Sequence, residues 1–164
     1  MKSCDAGEAY DASMARWKDF AAAEPDFSRR VLELFETQKH MTLATLRRDG
    51  SPRISGTEAH VVDGQIVLRM MPGSLKARDL IRDPRLALHS PTIDPPDDDP
   101  GGWSGDAKIA GVAVESLDKD PEDDSHTFFV DISEVVLTKV GDPPDHLVIE
   151  SWQPDSGLRR RQRK

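Results

Sequence analysis

The 164 residues carry 30 acidic against 22 basic side chains and a net charge of −8, the wrong sign for a protein that wraps nucleic acid by neutralising phosphates. Hydrophobic residues make up 37% and charged residues 32%, enough apolar surface for one core with long polar loops, so a single domain over residues 1–164 is expected. No segment approaches the roughly 20 apolar residues of a membrane span, the first residues lack the apolar centre of a signal peptide, and the single cysteine, Cys4, has no partner for a disulfide, so a cytoplasmic protein is expected.

Helical spacing comes first. Tyr10, Met14, Trp17 and Ala21 recur every three to four residues and predict an amphipathic helix from Glu8 to Ala23. Pro25 interrupts it, Asp26 or Ser28 caps the next start, and Phe27, Val31, Leu34 and Phe35 predict a second helix ending near Lys39. Together they form an N-terminal helical segment, 8–39.

From Met41 the pattern turns to β. The runs MTLATLRR, SPRISGTEAHVV and QIVLRMM are separated by Asp49-Gly50 and Asp63-Gly64, dipeptides that supply the positive φ of tight hairpins. Pro72-Gly73 ends the third strand, and Ser74 opens a short helix with Ala77, Leu80 and Ile81 on its apolar face, stopped by Asp83-Pro84. RLALHS, GDAKIAGVAVES, HTFFVDI, SEVVLTKV and HLVIESW read as further strands. Many short strands with few helices favour a small barrel over a layered parallel sheet.

Two stretches, TIDPPDDDPGGWSG and LDKDPEDDS, are too rich in Asp, Pro and Gly for regular structure. Asp97, Asp98, Asp99, Asp120, Asp123 and Asp124 are hard oxygen ligands, but the ordered spacing of a calcium loop is missing, and solvated loops are expected with no metal. The five histidines are dispersed without ligand-pair spacing. The tail, 157–164, is the one dense basic run, open to two readings: contact with an anionic ligand or fraying in solvent.

Motifs for zinc hydrolases, phosphate loops, dinucleotide binding and serine nucleophiles are absent. The informative stretch is 65–82. There the bend Pro72-Gly73-Ser74 delivers the N–H groups of Leu75, Lys76 and Ala77 at a helix N-terminus, where unsatisfied donors and the helix dipole favour an anion such as phosphate. Lys76 adds charge, Ser74 a hydroxyl, and Arg69 or Arg53 could complete the cluster. The competing reading is that Ser74 only caps the helix while Lys76 and Arg78 solubilise it.

The segment TLRRDGSPRISGTEAHVVDGQIVLRMMPGSLKARDLIRDPRLALHS resembles the pyridoxamine 5′-phosphate oxidase-like, FMN-binding split-barrel superfamily. In that family a first hairpin contains Asp-Gly, and a strand ends in a Gly-Ser-Arg-Lys helix start followed by Asn-Pro or Asp-Pro. The C-terminal LVIESWQPDSGLRRRQR is similar to its closing Trp-Gln segment followed by arginines.

The resemblance implies a mainly β, α+β protein: a six-stranded antiparallel split β-barrel with short peripheral helices. It also implies a homodimer with FMN at the interface and a small-molecule substrate. Residue by residue, Lys76 and Ser74 take the phosphate-holding lysine and serine, and Leu75 replaces the arginine between them. In the run Ser55, Gly56, Thr57 to His60, Ser55 replaces an arginine and His60 a substrate-handling lysine; Arg53, two residues earlier on the same strand face, could restore the lost charge. Arg69 and Met70 fall near a further cofactor contact, and Trp152 matches the tryptophan lying against the flavin. The implied activity is hydride or two-electron transfer on a small organic substrate, with no side chain assigned as catalytic acid or base. A related branch binds the deazaflavin F-420, whose phosphate and oligoglutamate tail would suit Lys76 and the basic tail. A non-catalytic flavin- or haem-binding module on the same scaffold is the remaining alternative.

Overall fold

The computed structural model describes residues 13–118 and 124–164. Two short helices precede the sheet. Helix α1 (Trp17–Ala23) and helix α2 (Pro25–Phe35) bury Trp17, Phe20, Phe27 and Val31 against it. The first helix begins at Trp17 rather than Glu8, because Ser13 to Arg16 are extended and Ala15 exchanges two backbone hydrogen bonds with Ile132. Pairing with a sheet thus overrides helical spacing at Met14, while Tyr10 lies outside the described residues. Pro25 occupies the first turn of α2, where its missing N–H costs nothing, with Glu24 at the N-cap in place of Asp26 or Ser28. The helix ends at Phe35, short of Lys39.

The expected antiparallel, mainly β architecture is present, with nine strands among the described residues instead of six: β1 (Met41–Leu46), β2 (Pro52–Thr57), β3 (Ala59–Val62), β4 (Gln65–Met70), β5 (Arg85–His89), β6 (Asp106–Glu115), β7 (His126–Val140), β8 (Leu147–Gln153) and β9 (Gly157–Arg163). Helix α3 (Leu75–Arg82) sits between β4 and β5. The sheet runs β2-β1-β5-β6-β7-β4-β3, and β8 and β9 branch from β7.

The higher strand count has local causes. SPRISGTEAHVV is not one strand: it breaks at Glu58, so that β2 pairs with β1 and β3 pairs with β4. Conversely, HTFFVDI and SEVVLTKV form the single strand β7, with a bulge where Ser133 is skipped between Ile132↔Gly111 and Glu134↔Ala110. One edge of β7 holds β4 along its first residues and β8 along its last, so the sheet divides there and does not close. The basic tail does not fray: Gly157, at φ +66°, turns the chain and β9 pairs with β8 over its whole length.

On β1 the alternation buries Met41, Leu43 and Thr45. Arg30 of α2 donates two hydrogen bonds to Glu150 of β8, at 2.6 and 3.0 Å, clamping the helix to the sheet. That pairing holds the Glu150 carboxyl below its ordinary range and raises the Arg30 guanidinium. The first acidic stretch is irregular apart from a short turn of helix at Pro100–Gly102, whereas residues 119–123 of the second, Asp120 and Asp123 among them, lie outside the described residues. Among the described residues no cluster of three His, Cys, Asp or Glu side chains is placed to hold a metal, and no helix is long and apolar enough to cross a membrane.

Candidate functional site

A cleft of about 840 Å³ opens where β2 ends, β3 begins and β4 turns into α3. Its position follows from local chain chemistry. Ser74 N–H donates to the Met71 carbonyl at 3.2 Å, Pro72 occupies the second turn position and Gly73 sits at φ +72°, the residue pattern of a type II turn. That turn aims the start of α3 at the cleft. Ser74 is the N-cap residue, yet its side chain makes no capping bond, and the first intrahelical hydrogen bond runs from Arg78 N–H to the Ser74 carbonyl. The N–H groups of Leu75, Lys76 and Ala77 therefore precede the helical ladder.

Lys76 reaches across to β2, donating from Nζ to the Gly56 carbonyl at 2.5 Å. Partial burial lowers its ammonium pKa from the ordinary value, since no carboxylate offsets the desolvation. Among the described residues neither Lys76 nor Arg69 forms an ion pair with a carboxylate. One wall of the cleft thus gathers two uncompensated cations, a serine hydroxyl and a helix N-terminus. An anionic group of phosphate size fits this donor set.

Of the sequence-predicted residues, Gly56, Thr57, Arg69, Met70, Ser74 and Lys76 line the cleft together. Arg53, Ser55, Leu75 and Trp152 do not line it. Arg53 lies on the inward face of β2 with Ser55, but its Nε–H is donated to Asp79 at 2.6 Å, so it anchors α3 from beneath. Leu75, at the position of the missing arginine, is exposed on the rim. Trp152 is 4% exposed, with its ring centroid 4.7 Å from that of Phe20, a core position that the short α1 creates.

Asp79 was not legible as a partner. The apolar face predicted for α3 was Ala77, Leu80 and Ile81; the structure buries Ala77, Asp79 and Leu80 and leaves Ile81 exposed. The Asp79 carboxylate accepts hydrogen bonds from Thr45 at 2.9 Å, Arg53 at 2.6 Å and Arg82 at 3.1 Å. Burial by itself would raise its pKa, but these three donors outweigh it and hold the group ionised below its ordinary range.

A second group was missed in the same cleft. Glu58, at the break between β2 and β3, lies 3.3 Å from Lys39, 3.4 Å from His40 and 3.9 Å from His60. His40, Glu58 and His60 all line the cleft. The Asp49-Gly50 hairpin could have revealed part of it, since its register sets Met41 opposite Thr57 and so brings His40 to Glu58. The cleft therefore combines the cations Arg69 and Lys76 with a carboxylate-imidazole group at the break between β2 and β3.

A family model described as pyridoxamine 5′-phosphate oxidase matches residues 27–147, most of the chain. No curated protein matches it. Solved structures do. A pyridoxamine 5′-phosphate oxidase-related, FMN binding protein from Nostoc punctiforme PCC 73102 is 11% identical with a TM-score of 0.59, covering 93% of this chain and 99% of its own. PhzG from Burkholderia lata 383, in complex with tetrahydrophenazine-1-carboxylic acid, is 10% identical with a TM-score of 0.60, covering 89% and 92%. A Clostridium acetobutylicum protein related to general stress protein 26 is 14% identical with a TM-score of 0.58, covering 80% and 97%. At these identities the structural likeness carries the fold.

Proposed function

The chain belongs to the pyridoxamine 5′-phosphate oxidase family, and from that membership and the cationic groups lining the cleft we propose that it is an FMN-binding oxidoreductase acting on a small organic substrate. The observation that carries this reading is the convergence of Lys76, Arg69, Ser74 and the first turn of α3 on one wall, with no carboxylate spent on either cation. When bound, FMN supplies hydride or two-electron transfer. The protein's own part is binding and orientation: Lys76 and the N–H groups of α3 would hold the phosphate, and Gly56, with open space where a Cβ would stand, would let a ligand approach the β2 backbone. Arg53 positions α3 through Asp79.

A second copy of the chain completes the site in this proposal. Ile54, Val62, Met71 and Leu75 are all exposed, on β2, on β3 and around the turn into α3, an apolar rim that pairing of two copies would cover. The direct test is a fluorescence titration of the purified protein with FMN and, in parallel, with F-420. Saturable FMN binding with a dimer in solution supports the proposal. Preference for F-420 would transfer the site to that cofactor, and binding of neither would leave the fold without its expected ligand.

A further inference from the structure

A second cavity, about 110 Å³, lies between α2 and the sheet. Successive residues of a strand point to opposite faces, and β3 divides the two spaces accordingly: Val62 faces the large cleft, whereas Ala59 and Val61 face the smaller cavity. His60, on a strand that pairs with β4 alone among the described residues, lines both.

The cavity walls are apolar, formed by Leu32 and Phe35 of α2, Val61 of β3, Ile66 of β4 and Ile109 of β6. Among the described residues its titratable lining residues are Glu36 and His60, both exposed and hence at its mouth. Close-packed interiors hold few voids larger than one water. A void of roughly 150 Å³ walled by aliphatic and phenyl groups stays dry and accepts benzene. The present cavity, at about 110 Å³, is smaller than that and holds at most one such ring.

The geometry points to this cavity as a binding pocket for a small aromatic ring bearing a hydrogen-bonding substituent, of the phenol or aniline class, belonging to the substrate. The ring enters at the mouth, beside the edge of β3 where His60 borders both spaces, and its hydroxyl or amine stays there next to the exposed Glu36. This substrate class rests on the cleft being the site of reaction, but the pocket itself is testable without any cofactor.

The experiment is thermal unfolding of the full chain with phenol as probe, for the wild type and for two variants that fill the cavity from opposite walls, Leu32→Phe and Ala59→Leu. Phenol at about five times its Kd raises the wild-type Tm by about 2–4 °C. Either filling substitution abolishes that rise while the FMN titration keeps its wild-type midpoint. Absence of a saturable rise in the wild type, or an equal rise in both filled variants, overturns the pocket. If the phenol effect is present and lost on filling while FMN fails to bind, the pocket stands and only the cofactor reading falls.

Discussion

The Nε–H of Arg53 on β2 points at Oδ2 of Asp79 on α3, 2.6 Å away, with the Asp79 side chain 4% exposed. The helix that presents Lys76 to the cleft is thereby fastened from beneath to the strand whose Gly56 carbonyl receives the Lys76 ammonium. Removing the carboxylate strands the Arg53 guanidinium and leaves Thr45 and Arg82 without that acceptor. Asp79→Ala should therefore cost about 3 kcal/mol in urea unfolding, as breaking a buried ion pair from one side does. A loss under about 0.5 kcal/mol, the range of ordinary surface changes, would contradict the anchoring role.

Acid stability follows from the same kind of contact. Hydrogen bonding from Arg30 holds Glu150 below its ordinary 4.5, and Asp79 is likewise held below its ordinary 3.8 once its three donors outweigh burial. Each carboxyl thus binds its proton less readily folded than unfolded. Its stabilisation is complete above the unfolded pKa and disappears as pH falls through the lower folded value. Glu150→Gln should have a lower Tm than the wild type at neutral pH, with the gap narrowing below pH 4.5. A gap that stays constant down to about pH 3 would show that the Arg30 contact contributes nothing through ionisation.

The tryptophan at 152 separates the family resemblance from the packing of this chain. Buried against Phe20, it should cost about 3–5 kcal/mol when cut to Ala. Trp152→Phe keeps most of the volume, and its FMN midpoint should match that of the wild type. A large loss of FMN affinity in the Phe variant, with stability intact, would return Trp152 to the cofactor.

At the bulge of β7, a Cβ on Gly111 would sit 2.1 Å from the Asp131 carbonyl oxygen, a backbone atom fixed by the sheet. Gly111→Ala should destabilise by at least about 2 kcal/mol, because relief requires moving the β6–β7 ladder. Unfolding at an unchanged urea midpoint would mean that the bulge relaxes freely.

What could be read from sequence was local. Asp49-Gly50 and Asp63-Gly64 mark real hairpins, and Pro72-Gly73-Ser74 marks the turn that starts α3, because positive φ and helix initiation depend on adjacent residues. Six of the ten proposed cofactor residues meet in one cleft for that reason. The rest depended on pairing between distant segments. Nothing near Arg53 signals that a carboxylate 26 residues later will claim it. The break at Glu58, which splits one apparent strand between two partners and draws in His40 and His60, is set by the sheet rather than by propensity. The run of arginines in β9 has little strand propensity of its own and is held by β8.

The measurement that bears most directly on the central claim is a side-by-side titration with FMN and riboflavin, for the wild type and Lys76→Ala. The two ligands differ only in the phosphate, so the ratio of their Kd values isolates the wall built by α3 and Lys76. The account predicts that the wild type binds FMN more tightly than riboflavin, and that Lys76→Ala weakens FMN about 10- to 100-fold, the range for one charge-assisted hydrogen bond, with riboflavin unchanged. Equal affinities for FMN and riboflavin in the wild type, or an FMN Kd indifferent to Lys76, would contradict it.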